Sequence, residues 1–201
     1  FISGRNFNTD GMMPSAWVWS NHDSTHIKDI HKRFGDKKLN SYPFFSILYF
    51  YIWLRYIKRN TDLRLLEYEH YNRNNAKEII EKELGWRDYG GKHYESIYTE
   101  FYQGYYLPEK FGFDKRLAHL SGQIKNGEIS RDQALDILNK PPLENHRKNE
   151  LITFVLKKLG FDNKEWNAIM SQPMISHKEY KNDEWQLDLL KKIKSIILNR
   201  K

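Results

Sequence analysis

Two clusters of residues have the types and spacing to meet an anion. The first is Gly90-Gly91-Lys92-His93-Tyr94-Glu95-Ser96; the second, one predicted helix later, is Lys110-Phe111-Gly112-Phe113-Asp114-Lys115-Arg116. Glycines let a backbone approach a ligand closely, and Lys and Arg neutralise phosphate or carboxylate oxygens through charge-assisted hydrogen bonds. Lys115 and His119 are four apart and share one side of a helix, so the clusters could converge on a single anion. The plainer alternative is a set of solvated surface charges with ordinary turn glycines.

Other chemistries lack their parts. His93 and Glu95 have the H-x-E spacing that opens the zinc deaminase signature, but that signature needs a downstream P-C-x-x-C and the chain has no cysteine. The histidines at 22, 26, 31, 70 and 93 show no H-E-x-x-H spacing, and no G-x-S-x-G elbow, Walker loop or G-x-G-x-x-G occurs. The absence of cysteine also excludes a disulfide framework and fits a reducing, cytoplasmic compartment.

Helices must position these clusters. Asp23-Ser24-Thr25 starts one that runs to Phe34. Behind Pro43 the aromatic run Phe44 to Tyr56 has the spacing of a mostly buried helix. Asn74 or Asn75 is expected to cap a helix ending near Leu84, with Gly85 as its stop. Further helices are predicted from Glu95 to Tyr106, broken by Pro108, and from Phe113 to Lys125. Another runs from Ser130 to Leu138, with Ser130 and Gln133 at capping-box spacing. The last three are Leu143 to Leu159, Lys164 to Met170 and Asp183 to Asn199. Phe1-Ile2-Ser3-Gly4 has the look of the end of a buried strand running into a glycine loop, with the earlier part of the strand expected upstream.

Composition bounds the reading. Of 201 residues, 39% are apolar and 15% aromatic, so burial depends on large rings. The net charge of +7 favours anionic partners without choosing among them. Mean hydropathy is −0.81. The apolar stretch Phe44 to Ile57 is too short to cross a bilayer, so no membrane insertion is expected, and no signal peptide is evident. Interleaved rings and cations can bind nucleic acid, but most rings here fall at helical core spacing, so nucleic acid is not the expected partner.

The segment Leu84-Gly85-Trp86-Arg87-Asp88-Tyr89-Gly90-Gly91-Lys92-His93-Tyr94-Glu95-Ser96 resembles a signature of the N-acetyl sugar amidotransferases, the WbpG-like proteins of lipopolysaccharide O-antigen and flagellar sugar biosynthesis. The likeness continues through Thr99, Phe101, Gln103, Leu107 to Gly112, Asp114 to Arg116, Ala118 to Ser121, Gly127, Arg131, Ala134-Leu135 and Pro141-Pro142.

This resemblance implies a fold, a reaction and partners. The fold is an ATP pyrophosphatase of the adenine nucleotide alpha-hydrolase-like, doubly wound α/β kind, of which this chain would be the mainly helical C-terminal portion. Residues 1–142 would complete that domain, with the signature at 84–142, and 143–201 would form a helical extension. Family members activate the acetamido oxygen of a nucleotide-linked N-acetyl sugar with ATP and Mg²⁺. Ammonia from glutaminase and synthase subunits resembling those of histidine biosynthesis then gives an acetamidino sugar. The family's S-G-G-x-D-S phosphate loop is absent from these residues, and position 10 is Asp where the family has Glu. This part alone is therefore expected to be inactive.

By the same resemblance, Gly4 and Asn6 line the nucleotide, and Asp10 holds Mg²⁺. Lys110, Lys115 and Arg116 meet the ATP phosphates, with Lys115, Arg116 and Glu95 as the catalytic set. Lys92, His93, Ser96, Thr99 and His119 face the sugar or orient ammonia. For Glu95, a first-turn carboxylate favoured by the helix dipole is the structural alternative. A non-catalytic module binding nucleotide-sugar or a partner, and a tRNA-modifying ATP pyrophosphatase, are the competing functions.

Overall fold

The computed structural model describes residues 1–6, 13–69, 71–91 and 94–198. The chain is mainly helical. Its α-helices are α1 (Ser24–Phe34), α2 (Arg73–Leu84), α3 (Ile97–Phe101), α4 (Arg116–Lys125), α5 (Arg131–Leu138), α6 (Asn145–Leu159), α7 (Asn163–Ser171) and α8 (Glu184–Leu198). Two π-helical segments, Tyr49–Ile57 and Tyr102–Phe111, join them. Among the described residues the strands are β1 (Ile2–Ser3) and β2 (Leu63–Arg64), which form one two-stranded sheet. Also among the described residues, no helix is long and apolar enough to cross a membrane.

The chain divides into two compact units. One comprises Phe1, Val18–Leu63 and Ile175–Lys201; the other comprises Ile2–Trp17 and Arg64–Met174. In the first unit, the Asp23 carboxylate ties the starts of α1 and α8 together. The Asp23 carboxylate accepts the N–H of His26 in α1 and, through its other oxygen, the N–H of Asp183. Thr25 returns a hydroxyl bond of 2.6 Å to Asp183. One carboxylate thus satisfies backbone donors at two helix starts, which explains how Asp23 can have no solvent exposure.

The second unit holds an aromatic and aliphatic core of Phe101, Leu143, Leu151, Val155, Leu156 and Trp166, with Tyr94, Tyr105 and Tyr106 packed against it. Helix α6, expected to belong to an extension beginning at 143, supplies three of these residues and so shares one core with the signature segment. The capping box at Ser130 and Gln133 forms as its spacing predicts.

Four expectations need correction. Phe44 to Tyr56 is not a mostly buried helix: Tyr49–Ile57 contains no buried residue, and of the run only Ile47 is fully buried. Pro108 does not break its helix but lies inside the π-helical segment, whose wider turn relieves the clash between a proline ring and the carbonyl four residues back. Gly112, at φ +68°, stops that segment instead. Helix α2 is capped by Asn72, whose side chain accepts from the N–H groups of both Asn74 and Asn75. Phe1 and Ile2 are 77% and 69% exposed, so the opening strand is a surface one.

Candidate functional site

The signature turn is built outward from α2. Gly85 ends that helix at φ +63°, and the Trp86 and Tyr89 rings meet edge to face at 5.4 Å. One Asp88 oxygen accepts the N–H of Gly90 at 3.0 Å, and the other pairs with Lys77 of α2. The Lys77 hydrogen bond, then the Gly90 N–H, hold the Asp88 carboxyl below its ordinary range. Gly90 sits at φ +84°, a conformation that a side chain would strain.

Beyond the turn, Tyr94 lies between two glycines. A Cβ on Gly91 would stand 2.4 Å from the Tyr94 ring, and one on Gly104 would stand 3.0 Å from its hydroxyl and 2.8 Å from Leu143. Burial pushes the Tyr94 phenol up; the Glu100 charge adds to that, and Arg116 opposes it. Glu100, only 7% exposed, is held by Arg147 through two parallel bonds of 2.9 and 2.7 Å. Arg147 is raised further above its already high value, first by its hydrogen bond to Glu100.

The three cations expected on the phosphates have different surroundings. Lys110 donates to the carbonyls of Ile169, Met170 and Gln172, at 2.5, 3.2 and 2.7 Å, so its ammonium caps the C-terminus of α7. Arg116 grips Asp114 with its Nε and Nη2 and sends Nη1 to the carbonyls of Ile137 and Lys140 at the end of α5. Both cations thus meet the negative end of a helix dipole, and the two helices differ. Lys115 stands apart. It is half-buried, burial lowers its ammonium from the ordinary value, and no described residue pairs with it.

Glu95 and Ser96 are exposed in the turn before α3, Ser96 making no side-chain cap, while Thr99 is partly buried within α3. His119 lies in α4 with both ring nitrogens buried. Gly4 has open space around it, and Asn6 is 3% exposed. Asp10, Lys92 and His93 lie outside the described residues. Among the described residues, no group of three His, Asp or Glu side chains gathers as a metal site would require.

Sequence reasoning missed Glu100 and Arg147, and named Tyr94 only within the signature without giving it a role. One signal was present: a carboxylate inside the run Tyr98-Thr99-Glu100-Phe101 has to be paired if buried. Beside the pair, Ile97, His146, Leu151, Phe154 and Lys157 line a groove of about 710 Å³.

Fold and geometry define a helical protein in which residues in and after the signature bring together a partly buried tyrosine, a buried carboxylate held by a half-exposed arginine, and two helix ends, leaving one half-buried amine over. Residues 95–194 match the family described as LPS biosynthesis protein WbpG-like, C-terminal domain, which supports a WbpG-like, C-terminal-part assignment for this chain. No curated protein and no solved structure matches the chain.

Proposed function

We propose that this chain acts in lipopolysaccharide sugar biosynthesis as the C-terminal part of an ATP-dependent amidotransferase. The family match over residues 95–194 carries the reading, because its description names both that pathway and a C-terminal domain. In the proposed reaction the acetamido oxygen of a nucleotide-linked N-acetyl sugar attacks the α-phosphorus of ATP, and pyrophosphate leaves. Ammonia then attacks the activated carbon, the C–O bond breaks, and AMP leaves behind an acetamidino group.

In this reading Lys115 is the cation that meets the phosphates. Its charged form is disfavoured by burial, and an arriving phosphate would restore it. Lys110 and Arg116 support the site by fixing the ends of α7 and α5. Mg²⁺ accompanies ATP; the residue expected to hold it, Asp10, is not among those described.

The test is to incubate the complete enzyme with ATP, Mg²⁺, ammonium and a nucleotide-linked N-acetyl sugar, separating products by chromatography. AMP and pyrophosphate in equal amounts, formed only with the sugar present, support the proposal. ADP and phosphate as the only products would overturn the mechanism.

A further inference from the structure

The first unit presents an aromatic, lysine-rich surface that the proposed reaction does not use. From Lys37 to Thr61 there is no Asp or Glu, while five residues are Lys or Arg and eight are aromatic. Ile47 is fully buried, Phe50 stacks on His22 at 3.6 Å, and Leu54 is half-buried, so these residues anchor the segment. Tyr49, Ile52, Trp53, Tyr56 and Ile57 are instead 38% to 67% exposed. A helical segment this apolar is ordinarily covered.

The start of the same segment borders a basic pocket of about 480 Å³, lined by Lys28, Lys32, Lys37, Lys38, Asp36 and Phe44 among others. The His31 ring meets the Lys37 carbonyl at 2.6 Å, holding the turn that brings Lys37 and Lys38 back beside α1. Lys28 lies over the Phe44 ring at 4.6 Å. None of the four lysines meets a carboxylate among the described residues. Four ammonium groups against one carboxylate far exceed the roughly half charge that the C-terminus of α1 can offset.

We propose that this surface, the exposed aromatic face of Tyr49–Ile57 together with the lysine pocket, docks on an anionic lipid membrane. The chemistry chooses this occupant over a protein. Protein interfaces deplete lysine around their apolar centre, whereas Trp and Tyr flanked by Lys and Arg suit the headgroup boundary. A nine-residue segment is too short to cross the bilayer and can lie in its plane. The lysines add attraction, each contributing roughly fivefold to binding an anionic surface.

The test is co-sedimentation of the complete enzyme with vesicles of equal parts phosphatidylcholine and phosphatidylglycerol, against pure phosphatidylcholine. Binding is expected only to the anionic vesicles and is lost at high salt. Lys37→Gln with Lys38→Gln should weaken it roughly thirtyfold, and Trp53→Ala with Tyr56→Ala about tenfold. Both pairs are exposed, and circular dichroism verifies that each variant folds. Lys192→Gln with Lys194→Gln, the same charge change on α8, should leave binding nearly unchanged. Absence of binding, equal loss in the α8 control, or indifference to the aromatic pair would overturn the proposal. Self-association without vesicle binding would also overturn it, and would assign the face to a second copy of the chain.

Discussion

Arg147 holds both oxygens of the Glu100 carboxylate, at 2.9 and 2.7 Å, across 47 residues of sequence. The pair is lopsided. Glu100 is almost wholly buried, while the Arg147 side chain is 45% exposed. Removing the arginine strands a buried charge; removing the carboxylate leaves a guanidinium that water can reach. Arg147→Met should therefore destabilise the fold by about 2 kcal/mol, below the full cost of breaking a wholly buried pair, and Glu100→Gln by about 1 kcal/mol. Urea unfolding of the two variants checks the order; equal losses would mean that the pair is solvated in solution.

The glycines around Tyr94 make a second prediction. Gly104→Ala would press a methyl group to within 2.8 Å of Leu143, and overpacking of this kind costs about 1–3 kcal/mol. Leu143→Ala, made alone, opens a cavity. The double variant should lose less than the sum of the two, because the added methyl occupies part of the vacated space. Thermal unfolding of the three variants measures the coupling, and strict additivity would separate Gly104 from Leu143.

How much of this was legible in sequence follows from how far each interaction reaches. Ser130 with Gln133, and Gly85 after Leu84, form local motifs complete within a few residues, and the structure has them. The acceptors of Lys110 lie 59 to 62 residues away and are backbone carbonyls, which every residue possesses, so no pattern announces them. Glu100 and Arg147 meet only because α3 packs near α6. The run Phe44 to Tyr56 misled for a related reason: apolar periodicity reports which residues gain from burial, but not what would cover them.

Asp88 yields a pH prediction. Its carboxyl is held below the ordinary value of 3.8 by Lys77 and then the Gly90 N–H, so it binds its proton less readily folded than unfolded. The stabilisation is fully present above that ordinary value and fades as pH falls below it through the depressed folded value. Lys77→Met should flatten the acid side of the stability profile below about pH 4 while leaving the neutral side parallel to that of the parent chain. Unfolding midpoints across the acid range test this; an unchanged acid slope would show that the Gly90 N–H alone sets the shift.

The two lysines of the second cluster separate structure from chemistry most directly. Lys110 gives its ammonium to three carbonyls at the end of α7, whereas Lys115 is half-buried with no partner among the described residues. Lys110→Met should lower stability by about 2 kcal/mol, the scale of hydrogen bonds to a charged group left unmade. Any loss of activity should then shrink once the variant is assayed well below its unfolding midpoint. Lys115→Met removes a charge that burial already opposes, so stability should hold or rise slightly. If Lys115 meets the departing pyrophosphate, adenylation in the complete enzyme should slow by about a hundredfold, the effect of removing one stabilising donor from a dry site, with sugar affinity little changed. Lys115→Arg tests the same site another way, because it keeps the charge but not the shape, and should recover part of the rate. Single-turnover adenylation and equilibrium sugar binding, measured separately on each variant, distinguish the outcomes. Normal adenylation without Lys115 would return that residue to the surface, and a rate lost together with sugar affinity would move it to the sugar pocket.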